Sequence, residues 1–391
     1  MCACRKGHIR NLNIENCQQF TLVQTAESLE ELLQLLPNVE YVALDTEADS
    51  LHHYYEKVCL IQLSLAGRNF IVDPLIDLDI KPLLELLSHS KLMLHGGEYD
   101  LRMLRSSFDY KHKSKVFDTM LAAQILGLEK LGLINLVELV LGLNLSKRGR
   151  KSDWSRRPLS SEQLAYACDD TRYLERIACC LHTRLEKLNR LDWHRESCRR
   201  MIALTANSRP PKDPDRVWRV KGHRNLNPRQ LAVLRSVWQW REEHAGAADL
   251  PPFKIVGNTT LIDLAEWSTT PAVKKGKWPR LPRKISGRTM EKLEEAVKYG
   301  LQQPDSELPR HKQRCYEAPA DRTKVEALRD ECAKIASEYE IETSVLAPRS
   351  MLEAIVNSNA RTVQQIMSAT PAMKWQADLI SPAAARILGS D

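Results

Sequence analysis

Residues 42–50 read VALDTEADS, an apolar run typical of a buried strand that stops at two carboxylates, Asp45 and Glu47. Residues i and i+2 of an extended chain point to the same side of the strand. The two acids therefore lie side by side, which is costly unless a cation is near them. The stretch predicts a strand that ends at an acidic site.

The segments around this stretch predict an α/β domain with a mixed sheet. VEYVALDTE, VCLIQLSLA and RNFIVDPL are typical of strands, and a turn centred on Gly67 joins the last two as a hairpin. KPLLELLSH and LRMLRSSF have helical periodicity, and KLMLHGG between them is a further short strand. Antiparallel strands followed by alternating strands and helices indicate a mixed sheet.

Three later residues carry side chains that could complete the acidic site. Asp100 comes just before the apolar helical stripe of LRMLRSSF, so it lies near the start of a helix. In RPLSSEQLAYACDD, Ser160 and Gln163 form a capping box that fixes where the next helix begins. Tyr166 and Asp170 are four positions apart, so they share one face of that helix.

Each acid also has a structural explanation when it is taken alone. Asp45 and Glu47 fit a solvated strand end, and Asp100 fits a first-turn acid that interacts with the helix dipole. If the carboxylates converge, they need cations, because like charges raise one another's pKa. Oxygen-only ligands favour Mg²⁺ or Mn²⁺, and two ions roughly 4 Å apart suit phosphoryl displacement. The hydroxyl of Tyr166 could then hold the attacking water.

Two neighbouring titratable residues are not expected to take part in the chemistry. Asp169 is rotated by about 100° from Asp170 and is expected on the outer side of the helix. His95 lies close to Asp100 in sequence and is expected to be a core or turn residue rather than a catalyst.

Composition and charge bound the class of protein. A chain of 391 residues is expected to form two or three domains. It has no 18-residue apolar stretch, no secretory signal at its start, and ten cysteines without metal-ligand spacing, so we expect a cytoplasmic protein with reduced thiols. Between Lys212 and Lys298, 18 lysines and arginines stand against 10 acids, which favours a nucleic-acid partner over a merely solvated basic surface.

Three motifs together resemble the DEDD superfamily of 3′→5′ exonucleases. They are ALDTE at 43–47, HGGEYDL at 95–101 and YACDD at 166–170. The spacing of Tyr166 and Asp170 resembles the tyrosine subclass. FDTMLAAQILG at 117–127 and DWSRRPLSSEQLAYACDD at 153–170 are similar to the ribonuclease D family. The segments near 228–264 and 322–356 share a pattern of helix, loop with proline and short helix, and both resemble HRDC domains.

The resemblance implies an α/β ribonuclease H-like exonuclease domain with a mixed sheet, followed by two small all-α HRDC-like domains. A proline-rich break at 208–216 marks the linker between the exonuclease domain and the first HRDC domain. The expected bounds are 1–207 for the exonuclease domain, 208–222 for the linker, 223–304 for the first HRDC domain and 318–391 for the second.

The resemblance also implies the activity and the role of each site residue. Asp45, Glu47 and Asp170 would bind one Mg²⁺ or Mn²⁺, Asp45 and Asp100 a second, and Tyr166 would position the water. The implied reaction is 3′→5′ hydrolysis of RNA to 5′-monophosphates, in tRNA 3′-end maturation. The implied partner is RNA with a free 3′ end, including tRNA precursors. We expect no interaction with a membrane, and we favour a monomer. A related DNA exonuclease and a non-catalytic RNA-binding scaffold remain the alternatives.

Basic and aromatic residues outside the acidic site are candidates for RNA contacts. SKRGRKSDWSRR at 146–157 is a basic segment beside the capped helix, and a solvated loop is its structural alternative. Trp278 lies among lysines and arginines, where it could stack on a base or pack in its own domain. The candidate RNA contacts are Lys147, Arg148, Arg150, Lys151, Arg156 and Trp278.

Overall fold

The computed structural model describes five stretches of the chain. They are residues 20–145, 152–206, 213–270, 278–311 and 321–389. These residues form two compact units. Residues 20–48, 58–206 and 321–389 belong to the first unit, and residues 49–57 and 213–311 belong to the second. The domain bounds given above remain a prediction.

The first unit contains a mixed sheet, which has six strands within the described residues. They are β1 (Thr21–Val23), β2 (Tyr41–Ala48), β3 (Val58–Leu65), β4 (Arg68–Val72), β5 (Lys91–Leu94) and β6 (Val116–Asp118). Their order is β1-β4-β3-β2-β5-β6, with β3 antiparallel to β2 and β4 and the other neighbours parallel. Ala66 and Gly67 both have positive φ and form the predicted hairpin turn. The predicted α/β fold is confirmed.

Helices cover both faces of this sheet. They are α1 (Ala26–Leu35), α2 (Lys81–His89), α3 (Glu98–Phe108), α4 (Thr119–Ile125), α5 (Leu133–Leu141), α6 (Ser161–Arg172), α7 (Leu174–Lys187) and α8 (Leu191–Ala206). Leu44 and Ile61 pack with α1, α2 and α3 on one face. Ala43 and Leu60 pack on the other, with α4 to α7. The side chains of alternate residues in each strand thus project from opposite faces of the sheet.

The second unit is helical. It contains α9 (Pro228–Ala247), α10 (Pro252–Ile255), α11 (Asn258–Trp267) and α12 (Arg288–Gln302). Asn227 and Gln230 form a capping box at the start of α9. Residues 49–57 also belong to this unit, because the Asp249 carboxylate accepts hydrogen bonds from the backbone N–H of Tyr54 at 3.0 Å and of Tyr55 at 3.4 Å.

Residues 321–389 form a C-terminal module that packs on α8 within the first unit. Its helices are α13 (Arg322–Glu338), α14 (Thr343–Leu346), α15 (Arg349–Asn357), α16 (Val363–Ala369) and α17 (Lys374–Leu388). Arg190 is buried and donates to the carbonyl oxygens of Ile125 at 2.9 Å and Tyr339 at 2.7 Å. Trp193 stacks on Trp375 with ring centroids 4.6 Å apart. No helix among the described residues is long and apolar enough to cross a membrane.

A buried ion pair attaches the segment before α6 to the sheet. Asp73 has no exposed surface and accepts two hydrogen bonds from Arg157, both at 2.6 Å. Arg157 also donates to the carbonyl oxygens of Cys59 at 3.0 Å and Trp154 at 2.8 Å. Burial would raise the pKa of Asp73, but the hydrogen bonds from Arg157 and from the Leu75 backbone outweigh it and lower the pKa. The pair fixes where α6 begins relative to β3 and β4.

We predict that Arg157→Met destabilises the protein by about 3–5 kcal/mol, because it leaves the Asp73 charge buried without a partner. Arg156→Met is the matched control, since Arg156 is 83% exposed in its ion pair with Asp153 and should cost about 1 kcal/mol or less. Urea denaturation of the full chain measures both. Equal unfolding midpoints for the two variants would contradict this role of the Asp73 pair.

Candidate active site

The acidic site is at the end of β2. Asp45 and Glu47 are two residues apart in this strand and project from the same face, whereas Thr46 between them is buried on the other. β2 runs parallel to β5, and β5 runs parallel to β6. The carboxyl ends of these three strands therefore meet at one edge of the sheet.

Helix α6 brings the third carboxylate to this edge. The capping box of Ser160 and Gln163 begins the helix as the sequence predicts. Farther along α6, Thr171 Oγ1 lies 2.8 Å from Ser64 Oγ of β3, which holds the helix on the sheet. Ligand atoms of Asp45, Glu47 and Asp170 consequently lie within 4.8 Å of one another.

Asp100 approaches the site from the opposite side of β2. It lies in the first turn of α3, is 6% exposed, and its Oδ1 accepts hydrogen bonds from the backbone N–H of Thr46 at 3.0 Å and from Thr46 Oγ1 at 2.6 Å. Thr46 thus connects the fourth carboxylate to the strand that carries the first two. Sequence reasoning missed Thr46, although its place between the two acids in DTE was a signal.

Asp118 positions the start of α3. It has no exposed surface, and its carboxylate caps α4 by accepting from the N–H of Met120 and of Leu121, both at 2.9 Å. Its other oxygen accepts from the N–H of Gly97 at 2.8 Å, at the residue that precedes α3. Sequence reasoning missed this contact, although an Asp before a helix is a recognisable cap.

The pKa values show how strongly the acids interact. The pKa of Asp45 is well above its usual range, mainly because of burial and then because of the charges of Asp100, Asp170 and Glu47. Burial raises the pKa of Asp100 to about 6, although hydrogen bonds from Thr46 oppose the change. Protons or cations must therefore balance the charge of this site.

The donor set fits a hard divalent cation. Among the described residues, Asp45, Glu47 and Asp170 are the group that could hold a metal ion, and all three offer carboxylate oxygens. Mg²⁺ and Mn²⁺ prefer such oxygen ligands, whereas zinc sites usually include Cys or His. The residues present therefore agree with the divalent cation that the sequence predicts.

Tyr166 lies one turn before Asp170 on α6, so the two side chains share a face. Its ring packs against Trp154, which is buried, with ring centroids 6.1 Å apart. Packing of the ring fixes the direction of the side chain, and Tyr166 remains only partly buried. A neutral hydroxyl is thus held on the helix face that carries Asp170.

Two neighbours of the acids have structural contacts. Asp169 was expected on the outer side of α6, but its side chain is only 18% exposed and pairs with Arg172. This pair turns Asp169 inward because the arginine one turn later offers a charge partner. His95 Nδ1 lies 2.9 Å from Thr119 Oγ1, and burial lowers the pKa of His95 to about 4, so the ring is neutral at pH 7.

The candidate RNA contacts are only partly within the described residues. Lys147, Arg148, Arg150 and Lys151 lie outside them. Arg156 is exposed and its Nε lies 3.0 Å from Asp153 Oδ2. Trp278 is partly buried in the second unit, where its ring centroid lies 4.4 Å from that of Trp267. Of these two candidates, Arg156 has the more exposed side chain.

Two families and a solved structure match the chain. The 3′-5′ exonuclease family matches residues 20–186, and the HRDC domain family matches residues 230–270. Escherichia coli RNase D, described as an exoribonuclease involved in structured RNA processing, has the same fold. The TM-score is 0.72 with 24% identity, over 95% of this chain and 99% of that one.

Two relatives are both named ribonuclease D. The protein from Gluconacetobacter diazotrophicus is 31% identical over 294 residues, which is 74% of each chain. The protein from Nitrobacter hamburgensis is 28% identical over 373 residues, which is 93% of this chain and 94% of the relative. The acidic site lies within the residues that match the exonuclease family. The chain therefore belongs to the ribonuclease D family of 3′→5′ exoribonucleases.

Proposed function

We propose that this protein removes nucleotides one at a time from the 3′ end of RNA as 5′-monophosphates, using two divalent cations, Mg²⁺ or Mn²⁺. The observation that carries the proposal is the convergence of Asp45, Glu47 and Asp170 within 4.8 Å, with Asp100 hydrogen-bonded to Thr46 between the first two. When bound, a pair of divalent cations stabilises the charge on the attacking and leaving oxygens of phosphoryl displacement.

The carboxylates bind the cations, and Tyr166 orients the attacking water. We assign Asp45, Glu47 and Asp170 to one cation, and Asp45 and Asp100 to the other. The Tyr166 hydroxyl accepts a hydrogen bond from the attacking water and orients it. The approach of Asp45, Glu47 and Asp170 to within 4.8 Å supports the first assignment, and the hydrogen bonds between Asp100 and Thr46 support the second.

The proposed substrate is RNA with a free 3′ end, including tRNA precursors. Membership of the ribonuclease D family and the basic surplus between Lys212 and Lys298 support an RNA partner whose binding depends on salt. We also propose that the protein acts as a monomer in the cytoplasm. No disulfide joins cysteines within the described residues, which fits a reducing compartment.

The direct test of this function uses matched RNA and DNA oligomers labelled at the 5′ end. With Mg²⁺, RNA with a 3′ hydroxyl should shorten in single-nucleotide steps, while RNA with a 3′ phosphate and reactions with chelator should stay intact. Asp170→Asn should lower the rate at least about 100-fold, because it removes a ligand of the cation. Glu162→Gln, at an exposed position in the first turn of the same helix, is the matched control and should remain active.

Two outcomes would contradict the proposal. Faster shortening of the DNA oligomer would make the protein a DNA exonuclease. Equal results for the wild type and Asp170→Asn, with no shortening in either, would favour the RNA-binding scaffold.

We predict that Tyr166→Phe lowers kcat about 100-fold, because the variant keeps the ring contact with Trp154 and loses only the hydroxyl that orients the water. Its Mn²⁺ affinity and its thermal unfolding midpoint should match those of the wild type. Single-turnover kinetics with saturating enzyme measure the change. Tyr173→Phe, just after α6, is the control, and an equal kcat for the two variants would remove Tyr166 from the mechanism.

We predict that cation binding weakens as the pH falls through about 6, because Asp45 and Asp100 have raised pKa values and bind protons in competition with the cation. The stability of the metal-free protein changes with pH in the opposite direction to cation binding. A folded-state pKa above the unfolded one means that the folded protein binds more protons, so this site destabilises the protein as the pH rises towards 7.

Thermal unfolding at pH 5.5 and pH 7.5, with and without Mg²⁺, checks both signs. The increase in Tm that Mg²⁺ produces should be larger at pH 7.5, and Asp170→Asn should show little increase at either pH. An equal increase for the wild type at both pH values would contradict the competition.

A further inference from the structure

Gln62 is a buried polar residue that the mechanism above does not use. It lies in β3 and has no exposed surface. Neither its Nε2 nor its Oε1 has a hydrogen-bond partner among the residues that the structure describes. Burying an amide without a hydrogen bond is destabilising, so this side chain requires an explanation.

The sheet register places Gln62 beside the acidic site. In the antiparallel pairing of β2 and β3, Gln62 stands directly opposite Asp45. Opposite residues project from the same face, with Cβ atoms about 4.5–5.5 Å apart. Ile61 and Leu63, on either side of Gln62, pack in the core of the other face. The side chains of Gln62 and Asp45 therefore start from neighbouring positions on the same face of the sheet.

Helix α6 covers this part of the face. Ser64, two residues after Gln62, contacts Thr171 of α6 at 2.8 Å. Leu60, two residues before it, packs in one cluster with Ala167 of the same helix. Gln62 thus lies between two contacts of the helix that supplies the third carboxylate. Asp45 is the carboxylate that stands opposite Gln62, and the hydroxyls of Ser64 and Thr171 already contact each other.

A second buried glutamine shows that an unpaired amide is not general in this protein. Gln376 at the start of α17 donates from Nε2 to the carbonyl oxygen of Val345 at 2.8 Å. Its Oε1 accepts from the backbone N–H of Met373 at 2.9 Å. Both polar groups of Gln376 are satisfied within the protein, whereas neither polar group of Gln62 has a partner among the described residues.

We propose that Gln62 is a positioning residue of the cation site, an inference that rests on the function proposed above. With a divalent cation bound, Gln62 Nε2 donates a hydrogen bond to the Asp45 carboxylate that stands opposite it in the sheet. The amide fixes the orientation of the carboxylate that binds the cation. Removing such a partner of a ligand typically lowers metal affinity by about 10–100-fold.

The test is the variant Gln62→Met, which keeps the length of the side chain and removes both polar groups. The metal-free variant should unfold at the wild-type temperature or above it, because no unpaired amide is buried. Its Kd for Mn²⁺, measured by calorimetry, should rise about 10-fold or more. Gln376→Met is the matched control: its Tm should fall and its Kd for Mn²⁺ should not change.

A spectroscopic measurement on the wild type is independent of the variant's stability. The side-chain amide resonance of Gln62, assigned by its loss in Gln62→Met, should shift when Mg²⁺ is added and exchange more slowly with solvent. A wild type that binds Mn²⁺, together with an unchanged Kd in Gln62→Met and an unmoved resonance, would overturn this role and leave the proposed function standing. A wild type that binds no Mn²⁺ would overturn both.

Discussion

The burial of mutually repelling carboxylates at the end of β2 is the constraint that the packing of the first unit must meet. The strand β2 ends with Asp45 and Glu47 on one face, and the packing of α6 adds Asp170 within 4.8 Å. Desolvation and mutual repulsion raise the pKa of Asp45 far above that of an exposed carboxyl. The core on both sides of the sheet provides the stability that holds these charges together. A site assembled at this cost in electrostatic free energy is suited to cations.

The pleat of a single strand organises the site. Asp45 and Glu47 face α6, while Thr46 faces the core that contains α3. There Thr46 donates two hydrogen bonds to the Asp100 carboxylate. Asp118 holds the first residues before α3 through the N–H of Gly97. Carboxylates from both sides of the sheet thus reach one edge, and buried polar contacts rather than exposed ion pairs determine their positions.

Much of this site could be predicted from local sequence patterns. The DTE stretch, the capping box at Ser160 and the positive-φ turn at Gly67 depend on residues within a few positions of one another. Contacts between distant residues could not be predicted, because they depend on sheet register and on how helices pack. The hydrogen bonds between Thr46 and Asp100 and the ion pair between Asp73 and Arg157 span 54 and 84 residues, and the packing of residues 321–389 on α8 spans more.

The central claim is that these carboxylates gather to hold divalent cations, and an anomalous difference map of crystals soaked in Mn²⁺ tests it most directly. We expect one peak bounded by Asp45, Glu47 and Asp170 and a second bounded by Asp45 and Asp100, each about 2–2.5 Å from carboxylate oxygens. A map of well-ordered carboxylates at a pH above 7 with no peak among them would contradict the account.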